Sequence, residues 1–125
     1  MQVLPLKDPS HEHPIADDWR PTIREIVRAF AEGDYELARG VRAVTPPSTA
    51  KAERMREYVA DYGETLTELP DETWKSSVTQ WMAVRWDAMV DLWTVESGRS
   101  DLALYFRVFE VEDGFRFEIA SLHVP

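Results

Sequence analysis

The sequence predicts an α+β domain in which amino-terminal helices pack on a carboxy-terminal antiparallel meander of three to four strands, with a cone-like curl within reach of that layout. Three observations carry this expectation. Apolar residues recur at helical spacing up to about Thr73 and alternate one by one from about Trp86 onward. Two turn pairs, Ser97-Gly98 and Asp113-Gly114, punctuate the alternating part. At 125 residues, 44% hydrophobic and 30% charged, the chain has the size and composition of one globular core rather than of a disordered segment.

Residues 1–14, with Pro5, Pro9 and Pro14, read as a flexible lead, and residues 15–125 as the single domain. The first helix follows from Asp17 and Asp18 as N-cap, Pro21 in the first turn, Trp19, Ile23, Ile26, Val27 and Phe30 at helical spacing, and Gly33 as its end. Asp34 to Arg39 reads as a short second helix closed by Gly40, and Pro46-Pro47 stops any continuation. Ser48 or Thr49 caps a third, with Ala52, Met55, Val59 and Tyr62 facing inward and Gly63 at its end. Asp71 to Met82 places Trp74, Val78, Trp81 and Met82 at helical spacing behind Asp71. Val78, Thr79 and Trp81 also favour strands, but a helix is the expectation. Beyond it, Trp86, Ala88, Val90, Leu92 and Thr94 alternate with Arg85, Asp87, Met89, Asp91 and Trp93. Leu102, Leu104, Phe106 and Val108 do the same in the next strand, and Phe115 to Val124 completes the meander.

Composition narrows the function classes. With 14 Lys+Arg against 23 Asp+Glu the net charge is −9, which repels phosphate backbones and anionic lipid. Neither a nucleic-acid nor a membrane partner is therefore expected, while a basic protein partner is allowed; plain solubility explains the same charge. The absence of cysteine removes disulfides, thiolate metal sites and cysteine nucleophiles. No apolar run reaches the ~20 residues of a membrane helix, and the first residues lack the basic start of a signal peptide, so a cytoplasmic location is the expectation. No cofactor motif is present, and no metal or cofactor is expected.

The sheet carries the most informative pattern. Ala88, Val90 and Leu92, with Leu102, Leu104, Phe106 and Val108, form a core face. The opposite face offers Met89, Trp93, Tyr105 and Phe109 beside Asp91 and Arg107 where water-facing residues would suffice. These four are the candidate binding surface: a curled sheet closed by the chain's own loops, or an interface. The five tryptophans serve equally for cores and for interface hot spots. From Glu57 to Trp74 six acids meet no Lys or Arg, and Glu64 and Glu68 within this run are expected to be solvated and to attract a basic partner. His11 and His13 have a metal-compatible i, i+2 spacing, but no third ligand stands nearby in the sequence. If the protein is an enzyme, His123 paired with Asp91 or Asp101 is its acid–base set. Gly98-Arg99-Ser100-Asp101 lacks the spacing of a phosphate-binding loop and reads as a turn.

Two resemblances add to this reading. Tyr62-Gly63-Glu64-Thr65-Leu66, Leu69-Pro70, Trp74, Asp91-Leu92-Trp93-Thr94-Val95-Glu96 and Gly98-Arg99-Ser100-Asp101-Leu102 together resemble an uncharacterised bacterial domain-of-unknown-function family, over the half of the chain from Tyr62 onward. Ala29-Phe30-Ala31-Glu32-Gly33-Asp34, after an amphipathic helix, resembles the opening of nuclear-transport-factor-two-like (SnoaL-like) domains, which implies a curved sheet around a conical pocket. The leading expectation is a non-enzymatic acidic binding protein, of toxin-neutralising (immunity) or regulatory type. The alternatives are a cone-shaped domain that binds or isomerises a small molecule, and a homodimeric structural domain.

Overall fold

The computed structural model describes residues 2–125. A 3-10 turn, Asp17–Trp19, runs directly into helix α1, Arg20–Ala31. Asp17 and Asp18, expected as the cap, do not cap α1: its N-cap position is Trp19, and no side chain accepts there. The Asp17 carboxylate instead takes the Val3 amide at 2.8 Å. Helix α2, Thr49–Tyr62, starts on Ser48, whose hydroxyl accepts from the Lys51 amide at 3.1 Å, and ends on Gly63 at φ +84°.

Two expected helices are absent. Between Asp34 and Arg39 the chain makes successive turns. The Asp34 carboxylate draws the Ala38 and Arg39 amides to itself, at 2.8 and 3.2 Å, and Leu37 takes φ +53°, outside any right-handed helix. The first of these bonds, from Ala38, also holds the Asp34 carboxyl below the usual range. Asp71 to Met82 splits into a 3-10 turn, Asp71–Lys75, and a strand, Val78–Trp81.

Six strands form one open, mixed sheet: β1 (His13–Pro14), β2 (Val44–Thr45), β3 (Val78–Trp81), β4 (Trp86–Thr94), β5 (Gly98–Val111) and β6 (Gly114–His123). The spatial order is β1-β3-β4-β5-β6-β2. All neighbours are antiparallel except β2 and β6, where Val44 faces Phe117 in parallel. The sheet is thus wider than the three- to four-stranded meander expected, because β3 spans four residues whose spacing also suits a helix and the two-residue strands carry no periodic signal of their own.

Alternation sorts the sheet into two faces. On the inner one, Trp86, Ala88, Val90, Leu92, Leu104, Phe106, Val108, Phe117, Ile119 and Leu122 are buried and join Ile23, Ile26, Val27 and Phe30 of α1 and Ala52, Met55 and Val59 of α2 in one core. Trp19, Trp86, Phe115 and Phe117 meet edge to face at its hairpin end, Trp19 standing 5.2 Å from Trp86. The segment expected to be a loose lead runs over this end. Val3 pairs with Asp17, Leu6 accepts from the Trp86 indole at 3.0 Å, and β1 joins β3. No helix of the described residues is long and apolar enough to cross a membrane.

Candidate functional site

The outer face is built from the alternate residues of the same strands, and the register fixes what meets there. Met89 faces Val78 on one side and Tyr105 on the other, and Tyr105 in turn faces Ser121. One row along, Gln80, Asp87, Arg107 and Glu118 follow one another across the four strands. In the opposite direction lies the row Asp91, Ala103 and His123. Two irregularities, between Asp91 and Trp93 on β4 and between Tyr105 and Phe106 on β5, bend the sheet around these rows.

A groove of about 370 Å³ opens on this face. The apolar Val78, Met82 and Met89 line it with Tyr105 and with the carboxylate-bearing Glu12 and Asp87. Asp87 pairs with Arg85 at 2.9 Å, whereas Glu12 makes no ion pair among the described residues. On the far side of Tyr105 a smaller depression of about 230 Å³ is lined by Arg107, Ser121 and His123. The Tyr105 and His123 rings stack at 4.5 Å with 9° between their planes. Burial, and then the neighbouring Asp91 carboxylate, push the Tyr105 phenol above its ordinary value.

The four residues expected as one surface are divided by the register. Met89 and Tyr105 are a cross-strand pair at the groove. Phe109 lies two outer positions further along β5, opposite Arg116, whose guanidinium sits 4.6 Å above its ring. Trp93 lies beyond the bulge opposite Arg99. It leans against the core, and its indole is near enough to Gly98 that an added Cβ there would stand 3.7 Å from it.

Asp91, Asp101 and His123 do not all converge: Asp91 and Asp101 line one depression of about 380 Å³ with Arg99, and His123 is not among its lining residues. Asp91 is nearly buried. It accepts from Ser76 Oγ, lies 3.4 Å from Arg99, and its backbone is clasped by Thr73 and Ser77, so it anchors the 3-10 turn to β4. His123 stands two strands away across Ala103, about 9.5 Å at the backbone. Asp101 is exposed, and its amide donates to the Tyr62 hydroxyl at 3.2 Å.

Glu64 and Glu68 both have partners. Glu64 accepts from Thr94 Oγ1 at 2.6 Å and Ser97 Oγ at 2.8 Å, and Glu68 pairs with Arg28 at 2.7 Å. His11 and His13 turn on one carboxylate, Asp8, at 3.3 and 2.9 Å. A larger depression, about 670 Å³, lies between α1 and the 3-10 turn Asp71–Lys75. Its Arg20 and Arg24 flank the Trp74 ring and are engaged by Asp17 and Asp71 and by the Ile15 and Leu69 carbonyls.

Sequence reasoning missed Glu12, Val78, Gln80, Met82 and Asp87 as groove residues. Reading Asp71 to Met82 as helix removed β3, a strand that lines the groove.

Residues 27–125 match the model of a family described as a domain of unknown function (DUF7668). The chain belongs to that family. The DUF7668 match takes in the last turns of α1, all of α2 and strands β2 to β6, and it contains the Tyr62-to-Leu102 motifs whole. The first strand and the segment before it precede the matched residues. Comparison with curated proteins and with solved structures gave no match. The sheet is open at both edges, and no match extends to the nuclear-transport-factor-two-like domains.

Proposed function

We propose that this domain is a non-enzymatic protein-binding module that receives a lysine- or arginine-bearing segment of a basic partner on the outer face of its sheet. The observation behind the reading is the groove itself. An aliphatic stem would lie along Val78, Met82 and Met89 while its cationic head meets Glu12 and Asp87. Glu12, free of ion pairs among the described residues, gives up no partner to bind one. The net charge of −9 steers such a partner toward the domain from a distance. An acidic immunity-type protein that masks a basic enzyme is one instance of this chemistry, as is a regulatory subunit.

The methionine methyl groups supply the test. Met82 and Met89 line the groove while Met55 is buried in the core. Titration with an arginine-rich peptide should shift the first two resonances saturably and leave the third in place. Glu12→Gln with Asp87→Asn should weaken binding about tenfold and flatten its salt dependence. No shift at either groove methyl, or a shift indifferent to both carboxylates, would sink the proposal.

A second reading, small-molecule binding or isomerisation on the same face, has the Tyr105–His123 stack behind it. It is the outcome if apolar phenols or ketones, and not cationic peptides, move the Met89 resonance.

A further inference from the structure

The chain already places one of its own cations in a second site. The segment from Gln2 to Pro14 contributes one Lys or Arg, Lys7, and none other precedes Arg20. The Lys7 ammonium lies 2.8 Å from Glu110 Oε1 and 5.3 Å above the Trp81 ring centroid. A carboxylate on one side and an aromatic face on the other is a chemically complete receptor for a lysine or arginine head. The acids Glu112 and Asp113 follow Glu110 at the β5–β6 turn. The two receptor residues fall inside the DUF7668 match, and Lys7 falls outside it. Receptor and occupant thus come from separate parts of the chain: one within the matched residues, the other ahead of them.

That segment rests along the sheet by scattered bonds. Val3 is tied to Asp17, Leu6 accepts from the Trp86 indole, Pro9 accepts from Gln80 at 3.0 Å, and β1 makes only two pairings with β3. Lys7 and Glu110 are each about half exposed, at 51% and 55% of their side-chain surface. The exposed ion pair and cation–π contact are weak, together shifting an equilibrium by about fivefold. The contact holds Lys7 in place without fixing it there.

We propose that the notch between Trp81 and Glu110 recognises a lysine or arginine of a basic partner, and that Lys7 is an internal occupant which that side chain displaces. The notch lies on the opposite side of β3 from the Met89 groove. Val78 and Gln80 line the groove, whereas Trp81 pairs with Trp86 of the core face. The proposal rests on the basic-partner reading but names a different surface, which binding in the groove does not require. Occupancy by Lys7 lowers the apparent affinity by the fraction of molecules in which the notch is filled. Displacement would also bare part of the Trp81–Trp86 ring pair to the partner's flanking apolar residues, since Leu6 bonds to the Trp86 indole.

The experiment uses the full chain with nitrogen-15 in the indole rings, the Trp81 resonance being assigned by its loss in Trp81→Phe. The probe is tetralysine, and its fully acetylated form is the neutral control. Lys7→Ala empties the notch, so tetralysine should move the Trp81 indole resonance with a Kd about fivefold lower than for the unaltered chain. Lys7→Gln, which keeps an aliphatic stem and a polar tip without the charge, should show the same gain. Glu110→Gln in the Lys7→Ala background should cancel it, and the acetylated peptide should move nothing. Equal affinities for the Lys7→Ala and unaltered chains, or a gain that survives Glu110→Gln, would overturn the proposal. The two surfaces report separately. A response at Met89 with none at Trp81 rejects the notch and leaves the groove reading standing; a response at Trp81 alone does the reverse.

Discussion

The two faces of this sheet come from the same strands, one residue out of step, yet they are different materials. Phe106 is 1% exposed and sits in the core between Leu104 and Val108, while its neighbour Tyr105 is half-buried on the other face between two depressions. The inner face is held by packing, which tolerates no loss of volume. The outer face is held by register, which sets a tyrosine beside a methionine, an arginine in line with two acids, and a histidine against the tyrosine ring. Stability therefore resides in one set of alternate residues and recognition is free to reside in the other.

The sharpest test of this division is a pair of adjacent substitutions. Phe106→Ala should cost about 3–5 kcal/mol in chemical denaturation, since it leaves a cavity beside Phe117 that rigid neighbours cannot fill. Tyr105→Ala should cost about 1 kcal/mol or less, because the lost ring was partly in water, and should abolish the peptide response at Met89. Equal destabilisation by the two would mean that the outer face is a second core.

The sequence made the inner face legible and the outer site only in part. Period-two alternation in β4 and β5 is a backbone property that tertiary context did not override, so Ala88, Val90 and Leu92 and Leu102, Leu104, Phe106 and Val108 could be placed on one face directly. Strand β3 was hidden for two physical reasons. It is four residues long, too short to show a period, and its hairpin to β4 turns through Ala83 at φ +69° instead of through a glycine that would have announced it. Losing β3 lost the groove residues it carries. The acids between Glu57 and Glu72 were legible only in part: all but Glu64 are exposed, as the composition suggests. Charge is visible in a sequence but its partners are not, and Glu64 and Glu68 find theirs 30 and 40 residues away, at Thr94 and Arg28.

Those partners yield the second prediction, of middle size. The loop after α2 is clasped to the β4–β5 turn by Glu64, which accepts from Thr94 and Ser97, and by a backbone ladder of Thr67 to Trp93 and Val95 to Thr65. Glu64→Ala frees the buried Thr94 hydroxyl of its acceptor and should cost about 1–2 kcal/mol by thermal or chemical denaturation. Glu57→Ala, on an exposed turn of α2, should cost under about 0.5 kcal/mol. If both were neutral, the Glu64 clasp would add nothing to stability.

The smallest effect concerns the other carboxylate of that clasp. Glu96 accepts from the Thr65 amide at 2.8 Å and the Thr65 hydroxyl at 2.9 Å, and the first of these bonds does most to hold its carboxyl below the ordinary glutamate value. A group whose pKa is lower folded than unfolded binds its proton more readily in the unfolded chain. Its contribution is therefore complete above the unfolded value, about 4.3, and disappears as the pH falls through the lower folded value. Wild type and Glu96→Gln should thus differ in Tm at neutral pH, in favour of wild type, and the gap should narrow only below about pH 4. Glutamine keeps an acceptor oxygen for one of the two Thr65 donors, so the gap reports charge more than the loss of a bond. Because Glu96 is exposed, solvent keeps the effect to a small shift in Tm, and 0.5 M salt should shrink it further. A gap constant from pH 7 down to pH 3 would show that the Thr65 clasp gains nothing from ionisation, leaving Glu64 as the only charge in the loop that matters.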